Sequence, residues 1–214
     1  MLVVNSHKLQ EFPEATELCV KHCDDEIAHN RVVYPSKLKK LVFTYNLSKG
    51  YFKEPRLSFP DTITHLELNT DFPCCKINFP KNLKQLIIPI TTDVSTINFP
   101  ETLKSLVLKN FNQDLSKIKF PPNLIHLNLG DNFDYPLRNG SFPLSLVYLE
   151  TGNSFKGSLR AVKFPPKLYH LILGDSFDCS LDNVPKTVKH ITVGEKFNQR
   201  VNFDEPKIHK WTSF

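Results

Sequence analysis

The sequence contains little glycine and has no long apolar run. Only 7 of its 214 residues are glycine, which excludes a collagen-like chain. No stretch approaches the roughly 18 apolar residues that a membrane helix needs, and the first residues lack the cationic and apolar segments of a signal peptide. With 40% apolar and 23% charged residues the composition is that of a folded protein. We therefore expect a cytoplasmic protein that is neither secreted nor inserted in a membrane.

Cysteine is scarce as well. There are five cysteines, an odd number, which favours free thiols in a reducing compartment over a disulfide framework. Cys19, His22 and Cys23, with His29 nearby, have the residue types and short spacing of a zinc site. A closed zinc site usually has two regular ligand pairs, and the second pair is missing. We favour an ordinary N-terminal cap, with zinc as the alternative, and expect no metal and no cofactor.

Phenylalanine and proline, by contrast, are abundant, with 17 and 16 residues, because the chain is repetitive. The dipeptide Phe-Pro or a variant of it recurs every 20 to 25 residues. The clearest units follow the pattern F-P-x-x-L-x-x-L-x-L-G-x-x-F-(N/D)-x-x-L. We call the proline of this pattern the marker proline. The marker prolines are Pro13, Pro35, Pro60, Pro80, Pro100, Pro121, Pro143, Pro165, Pro185 and Pro206.

Each unit contains one short alternating segment, such as residues 127–129 or 171–173. A period of two residues predicts a β-strand, and one strand per unit predicts a parallel stack. The proline at one corner and the frequent glycine at the other leave no room for a long helix, so the return path must be extended or tightly turned. The sequence therefore predicts a mainly β solenoid of about nine coils.

A single coil cannot bury enough apolar surface to be stable alone, so stacking must supply the core. We expect one domain, in which residues 1–34 form a degenerate coil and cap, residues 35–203 the solenoid, and residues 204–214 a C-terminal cap with Trp211 over the end of the core. A poorly capped end can instead mediate homodimerisation.

These motifs resemble leucine-rich repeats, and more narrowly the FNIP (FGxxFN) repeats of slime moulds and giant viruses of protists. Residues 194–199, Gly-Glu-Lys-Phe-Asn-Gln, fit the narrow motif closely, and residues 111–113, 130–134 and 174–178 fit it with small changes. The resemblance implies a leucine-rich-repeat-like right-handed solenoid whose parallel sheet lines a concave face. If the protein is viral, it implies the cytoplasm of the host cell.

The same resemblance implies a non-enzymatic scaffold that binds a protein partner through the concave face. Some members carry an F-box that connects them to ubiquitin ligases. Only about a dozen residues precede Pro13, so we expect no F-box in this chain. A substrate-recruiting subunit of a ubiquitin ligase is the alternative function.

The Asn or Asp after the second Phe of a unit is expected to form a structural ladder. A buried polar side chain must be satisfied, so each should hydrogen-bond turn backbone of its own or the next coil. The members are Asn112, Asp134, Asp178 and Asn198. The pattern lapses at residues 72–75, which include Cys74 and Cys75, and at Phe155-Lys156, and the longer spacing around Tyr51-Phe52 predicts a bulged loop.

Two columns of outward-facing residues should line the concave sheet, five and seven residues after each marker proline. The first contains His65, His126, Tyr148, His170 and His190, and the second contains Glu67, Asn128, Glu150 and Ile172. The rings are interpreted either as a structural ladder or as a partner-binding strip with the composition of an interface core. The two interpretations are compatible, and we favour binding. His170 and His190 would lie one strand spacing apart, so we expect their charged forms to be disfavoured in the folded protein.

The sequence makes two other functions, catalysis and nucleic-acid binding, less favoured. Gly174-Asp175-Ser176 resembles a nucleophile motif of esterases, but residues 130–132 and 152–154 occupy the same turn, so we predict no enzyme. The net charge of +5 comes from lysines scattered over turns, with only 5 arginines and no nucleic-acid-binding motif. The pattern favours a protein partner over a nucleic acid.

Overall fold

The computed structural model describes residues 1–22, 32–45, 57–69, 77–90, 93–137, 142–200 and 207–210. The chain is mainly β, and its parallel strands form a solenoid of about eight turns, which confirms the predicted fold class. The chain divides into two compact units, residues 1–103 and 104–214. The predictions for Tyr51-Phe52, for Cys74-Cys75 and for a Trp211 cap lie outside the described residues. The single-domain organisation stays a prediction.

Residues 1–103 contain two parallel sheets. The strands are β1 (Leu2–Asn5), β2 (Glu17–His22), β3 (Lys40–Tyr45), β4 (Leu57–Ser58), β5 (His65–Asn69), β6 (Ile77–Asn78) and β7 (Gln85–Pro89). The main sheet has the order β1-β2-β3-β5-β7, and β4 pairs with β6. Short 3-10 helices span Ser6–Glu11 and Val94–Thr96. β1 precedes the first marker proline, so the stack begins earlier than the repeat predicts, with Val4 and Leu9 buried.

Residues 104–214 contain one parallel sheet in sequence order. The strands are β8 (Ser105–Lys109), β9 (His126–Asn128), β10 (Tyr148–Glu150), β11 (His170–Ile172), β12 (His190–Val193) and β13 (Lys207–Lys210). A 3-10 helix at Leu115–Lys117 interrupts the return path. From β8 to β12 equivalent positions pair, as Tyr148 does with His126 and His170, so successive coils place equal sequence positions side by side.

Each marker proline from Pro35 to Pro185 begins a tight turn. Its carbonyl accepts a hydrogen bond from the backbone N–H three residues later, as Pro121 does from Leu124 at 3.2 Å and Pro143 from Leu146 at 3.0 Å. Proline suits this place because its φ is fixed and it has no donor to satisfy. The residue that closes each turn is an apolar side chain of the core. These side chains are Leu38, Ile63, Leu83, Leu103, Leu124, Leu146, Leu168 and Val188.

Glycine sets where some strands end. Gly130 and Gly152 have φ of +81°, a conformation that side chains disfavour, and they follow the three-residue strands β9 and β10 by two residues. A Cβ atom on Gly152 would lie 2.1 Å from the carbonyl oxygen of Gly130, so the turn backbones of successive coils touch. Coils without this glycine, such as those of β3 and β5, have strands of 6 and 5 residues.

The core of residues 104–214 contains one continuous phenylalanine stack. Phe111, Phe133, Phe155, Phe177 and Phe197 are buried, and neighbouring centroids are 5.7 to 6.0 Å apart with interplanar angles of 19° or less. The other phenylalanine column, which precedes the marker prolines, lies at the margin: Phe120, Phe142 and Phe164 are only half-buried. Ile118, two positions before Phe120, is buried and belongs to the core.

The asparagine and aspartate ladder runs along the turns of the same unit. Asn112 Oδ1 accepts from the N–H of Asp134, Asp134 Oδ1 from that of Lys156, and Asp178 Oδ1 from that of Asn198, each at 2.9 Å. These side chains are exposed, not buried as the sequence argument assumed, so their role is to satisfy the turn of the next coil. The hydrogen bonds lower the pKa of Asp178, first that from the Asn198 backbone and then that from the Gln199 side chain.

Candidate functional site

Four aromatic rings stack on the solvent side of the sheet in residues 104–214. His126, Tyr148, His170 and His190 occupy one register position of β9 to β12, and we call them the ring column. Their successive centroids are 4.3, 4.3 and 4.7 Å apart, with interplanar angles of 18°, 8° and 10°. Strand spacing in a sheet is about 4.8 Å, so the strands themselves hold the rings at stacking distance. The ring faces cover one another, and the edges remain for a ligand.

Two rings that the sequence argument did not assign extend this surface. Tyr169 is 42% exposed and tilts against His170 and His190, with centroids 4.9 and 5.3 Å away. His209 on β13 stacks on His190 at 6.0 Å, although its register partner is Thr192. The face is thus wider at β11 and β12 than a single column, and it continues to β13.

The second column lies beside the rings and includes a carboxylate in an unfavourable environment. Burial, and then the charge of Asp131, raise the pKa of Glu150, while a hydrogen bond with the Asn128 side chain opposes them. Asn128 Oδ1 also accepts from the N–H of Gly130 at 2.7 Å, which fixes its orientation. Ile172 and Thr192 continue this column on β11 and β12 and are half-buried. It therefore offers a carboxylate, an amide, an aliphatic and a hydroxyl group.

The neutral forms of two histidines in the ring column are favoured. Burial, and then the charges of His190 and His126, lower the pKa of His170. Burial also lowers the pKa of His126. Because both pKa values are depressed in the folded chain, protonation favours the unfolded chain. Folding therefore favours the uncharged forms of His126 and His170.

A pH dependence of stability follows from His170. Its contribution should be complete above the ordinary histidine pKa of about 6.5 and should be lost as pH falls through that value towards the lower folded pKa. We expect the melting temperature of the wild type to fall more between about pH 7.5 and about pH 5 than that of a His170→Gln/His190→Gln variant. Comparing the two falls cancels any loss of stacking in the variant, and Glu150, whose protonation acts in the opposite direction, is common to both. Equal falls would contradict the assignment.

His65 and Glu67 lie in the other unit, on β5. They line a groove of about 560 Å³ on the sheet of residues 1–103, together with Val42, Gln85 and Ile87. Lys40 at the groove pairs with Glu17 at 3.7 Å between Nζ and Oε2. The side chains at the register position of the ring column differ in type in this unit, where one imidazole stands among two charged groups and an amide. They are Glu17, Lys40, His65 and Gln85.

Two sequence motifs remain, the suspected metal site around Cys19 and the suspected nucleophile Ser176. Cys19 is a half-buried free thiol on β2, while Cys23 and His29 lie outside the described residues. Within the described ranges no three His, Cys, Asp or Glu side chains are placed to hold a metal ion. Ser176 lies in the turn after Gly174, and its N–H donates to the Asn153 carbonyl at 3.0 Å, the role of a turn residue. In the parts of the chain that the structure describes, no helix is long and apolar enough to span a membrane.

Comparison with known proteins supports this reading of the repeats. The family model of the FNIP repeat matches residues 111–154. Residues 111–154 are similar to the FNIP repeat. The matched FNIP segment includes β9 and β10, and hence His126, Asn128, Tyr148 and Glu150. FNIP-repeat and leucine-rich-repeat solenoids are typically non-enzymatic scaffolds.

One similar solved structure is that of CroV588 from a giant virus, described as a novel circular LRR protein. It is 17% identical, with a TM-score of 0.32, over 92% of this chain and 43% of that chain. The chain thus spans less than half of the length of that protein. No curated protein matches the sequence.

Proposed function

We propose that the protein is an interaction scaffold that binds a protein partner through the solvent side of its sheet, at the ring column. The observation that carries the proposal is the stack of His126, Tyr148, His170 and His190. Aromatic side chains dominate interface energetics, and rings held in place by their neighbours lose little conformational entropy on binding. Asn128, Glu150 and Ile172 beside the rings would contribute specificity. His65 and Glu67 would bind in the same way at the groove in residues 1–103.

The test compares capture of partners by matched baits. Purified wild type, a His126→Ala/Tyr148→Ala/His170→Ala variant and a control variant are incubated with lysate of the source organism, and bound proteins are quantified by mass spectrometry. The control, Arg160→Ala/Lys163→Ala/Asp182→Ala, changes three exposed side chains outside the sheet. We expect the ring variant to capture at least about tenfold less of some partner than the wild type does, while the control captures the normal amount. The reason is that truncating a hot-spot side chain costs about 2 kcal/mol or more of binding free energy.

Circular dichroism and thermal melting of all three baits establish that the ring variant is folded. Equal capture by all three would move the binding site away from the ring column and contradict the proposal. If the proteins that the ring variant no longer captures include ubiquitin-ligase subunits, the function is substrate recruitment to a ligase. If they do not, the chain is a plain scaffold.

A further inference from the structure

Beside strands β9 to β12, charge is segregated across the sheet of residues 104–214. Parallel strands all start at one margin of a sheet and end at the other, so residues that precede the strands lie together and so do those that follow them. The lysines that lie within four residues before a strand are Lys104, Lys167, Lys186 and Lys189. The carboxylates at or just after the strand ends are Asp131, Glu150, Asp175 and Glu195. The ring column lies between the two margins.

The segregation holds beside β9 to β12 but not beyond them, because Glu101 precedes β8, and Lys109 and Lys210 end β8 and β13. Residues 122–125, 144–147, 166–169 and 186–189, which precede β9 to β12, contain no Asp or Glu. Residues 131, 153, 175 and 195, which follow the glycines, contain no Lys or Arg. Lys104, Lys167 and Lys186 are exposed, as are Asp131 and Asp175. From β9 to β12 the sheet therefore presents lysines at one margin, the ring column at its centre and carboxylates at the other margin.

We propose that this face binds an amphipathic α-helix of a partner protein, which lies across the strands along the ring column with carboxylates over the basic margin and ammonium or guanidinium groups over the acidic margin. This inference rests on the proposed function and adds the chemistry of the partner. Uniformly acidic or uniformly basic segments fit worse, because each would meet repulsion along one margin.

The dimensions favour a helix. Lys189 and Glu195 are six residues apart, about 20 Å along an extended chain at about 3.3 Å per residue. A helix with its side chains is about 10–12 Å wide, which leaves about 4–5 Å on each side for the charged side chains of the margins to cross. Its pitch of about 5.4 Å is close to the strand spacing of about 4.8 Å, so successive turns can follow successive rings. An extended peptide alternates its side chains between two faces and cannot contact rings and both margins at once.

The acidic margin also has a local reason to accept a cation. Glu150 is half-buried, and its carboxylate lies close enough to Asp131 for the two charges to repel. A basic side chain of the partner over this pair would offset that repulsion without displacing the Asn128 side chain, which already contacts Glu150. Turning the helix end for end, with the same face on the sheet, exchanges its two flanks. The partner therefore needs acidic side chains on one flank and basic side chains on the other, but either flank can be the acidic one.

Two synthetic peptides provide the test. Both are hydrocarbon-stapled helices of about 21 residues and identical composition, with leucines on one face. One has glutamates on one flank and lysines on the other, and the second has the two interleaved on both flanks. Affinity is measured by fluorescence anisotropy. We expect the segregated peptide to bind about tenfold more tightly at about 50 mM salt, equivalent to about 1.4 kcal/mol, and the preference to shrink at about 500 mM salt.

Charge variants of the protein locate the effect. The variant Lys104→Glu/Lys167→Glu/Lys186→Glu reverses the charge of three lysines and makes both margins acidic. Its preference for the segregated peptide should therefore disappear. The control variant makes the same change of net charge away from the sheet and should keep the preference. It is Lys117→Glu/Lys119→Glu/Lys163→Glu.

Equal affinity for the two peptides, or binding of neither, overturns the helix inference. The proposed function is judged separately by partner capture with the ring variant. If capture depends on the ring column while the peptides are not distinguished, the scaffold function stands and the helix inference fails.

Discussion

Replacing Phe155 with alanine is expected to lower the free energy of unfolding by about 3–5 kcal/mol. Phe155 is fully buried, and it stacks between Phe133 and Phe177 with centroid distances of 5.9 and 6.0 Å. Its removal deprives two neighbouring coils of a contact and leaves a cavity that the rigid turns cannot close. Urea unfolding followed by far-ultraviolet circular dichroism measures the loss, which should appear as a lower transition midpoint.

Phe142 is the matched control for this substitution. It belongs to the column that precedes the marker prolines, is half-buried, and stacks on Phe120 at 6.4 Å. Phe142→Ala removes a ring of the same size, but its smaller burial predicts a loss of about 1–2 kcal/mol. If the two variants were destabilised equally, the assignment of one phenylalanine column to the core and the other to its margin would be wrong.

Gly152→Ala is expected to be the other severe substitution, with a loss of at least about 3 kcal/mol. The φ of +81° disfavours any side chain at this position. In addition, the new Cβ would lie 2.1 Å from the carbonyl oxygen of Gly130, a backbone atom that cannot rotate away. The adjacent coils would have to separate, which weakens the pairing of β9 with β10. Thermal and urea unfolding both report this loss.

Asn153 is the control for the glycine. It is the next residue in the same turn, and its side chain is exposed. Asn153→Ala should change the stability by no more than about 0.5 kcal/mol, as is usual for exposed positions. A Gly152→Ala protein as stable as Asn153→Ala would show that successive turns do not require the close approach of their backbones.

The regular parts of the fold could be predicted because their causes are local and recur with the repeat. The turn that Pro121 opens and Leu124 closes depends on four consecutive residues, and it recurs from Pro35 to Pro185. β1 was missed because Leu2–Asn5 has no marker proline. Spacing alone also could not rank the two phenylalanine columns, since both have the same period. In some coils the apolar residue two positions before this Phe, such as Leu57, Ile97 or Ile118, belongs to the core.

The position of the candidate site could be predicted from the sequence, but the orientation of its side chains could not. Parallel strands bring equal positions into register, so the alignment of Tyr148 with His170 follows from the repeat. The tilt of Tyr169 depends on side-chain torsions that no periodicity encodes. His209 was missed because counting five residues from Pro206 leads to Trp211, whereas β13 places Lys207 beside His190.

The ladder of turn hydrogen bonds has a consequence for how such chains change in length. Asp134 binds the backbone of residue 156, and Asn112 does the same for residue 134, so each bond joins equivalent positions of adjacent coils, 22 residues apart. Loss or duplication of the coil that contains Asp134 would re-create the same type of bond at the new junction, whereas inserting or deleting a few residues would misalign its donor and acceptor. A whole coil is therefore the insertion or deletion that the fold tolerates best, and a chain of this kind can lengthen its sheet one strand at a time.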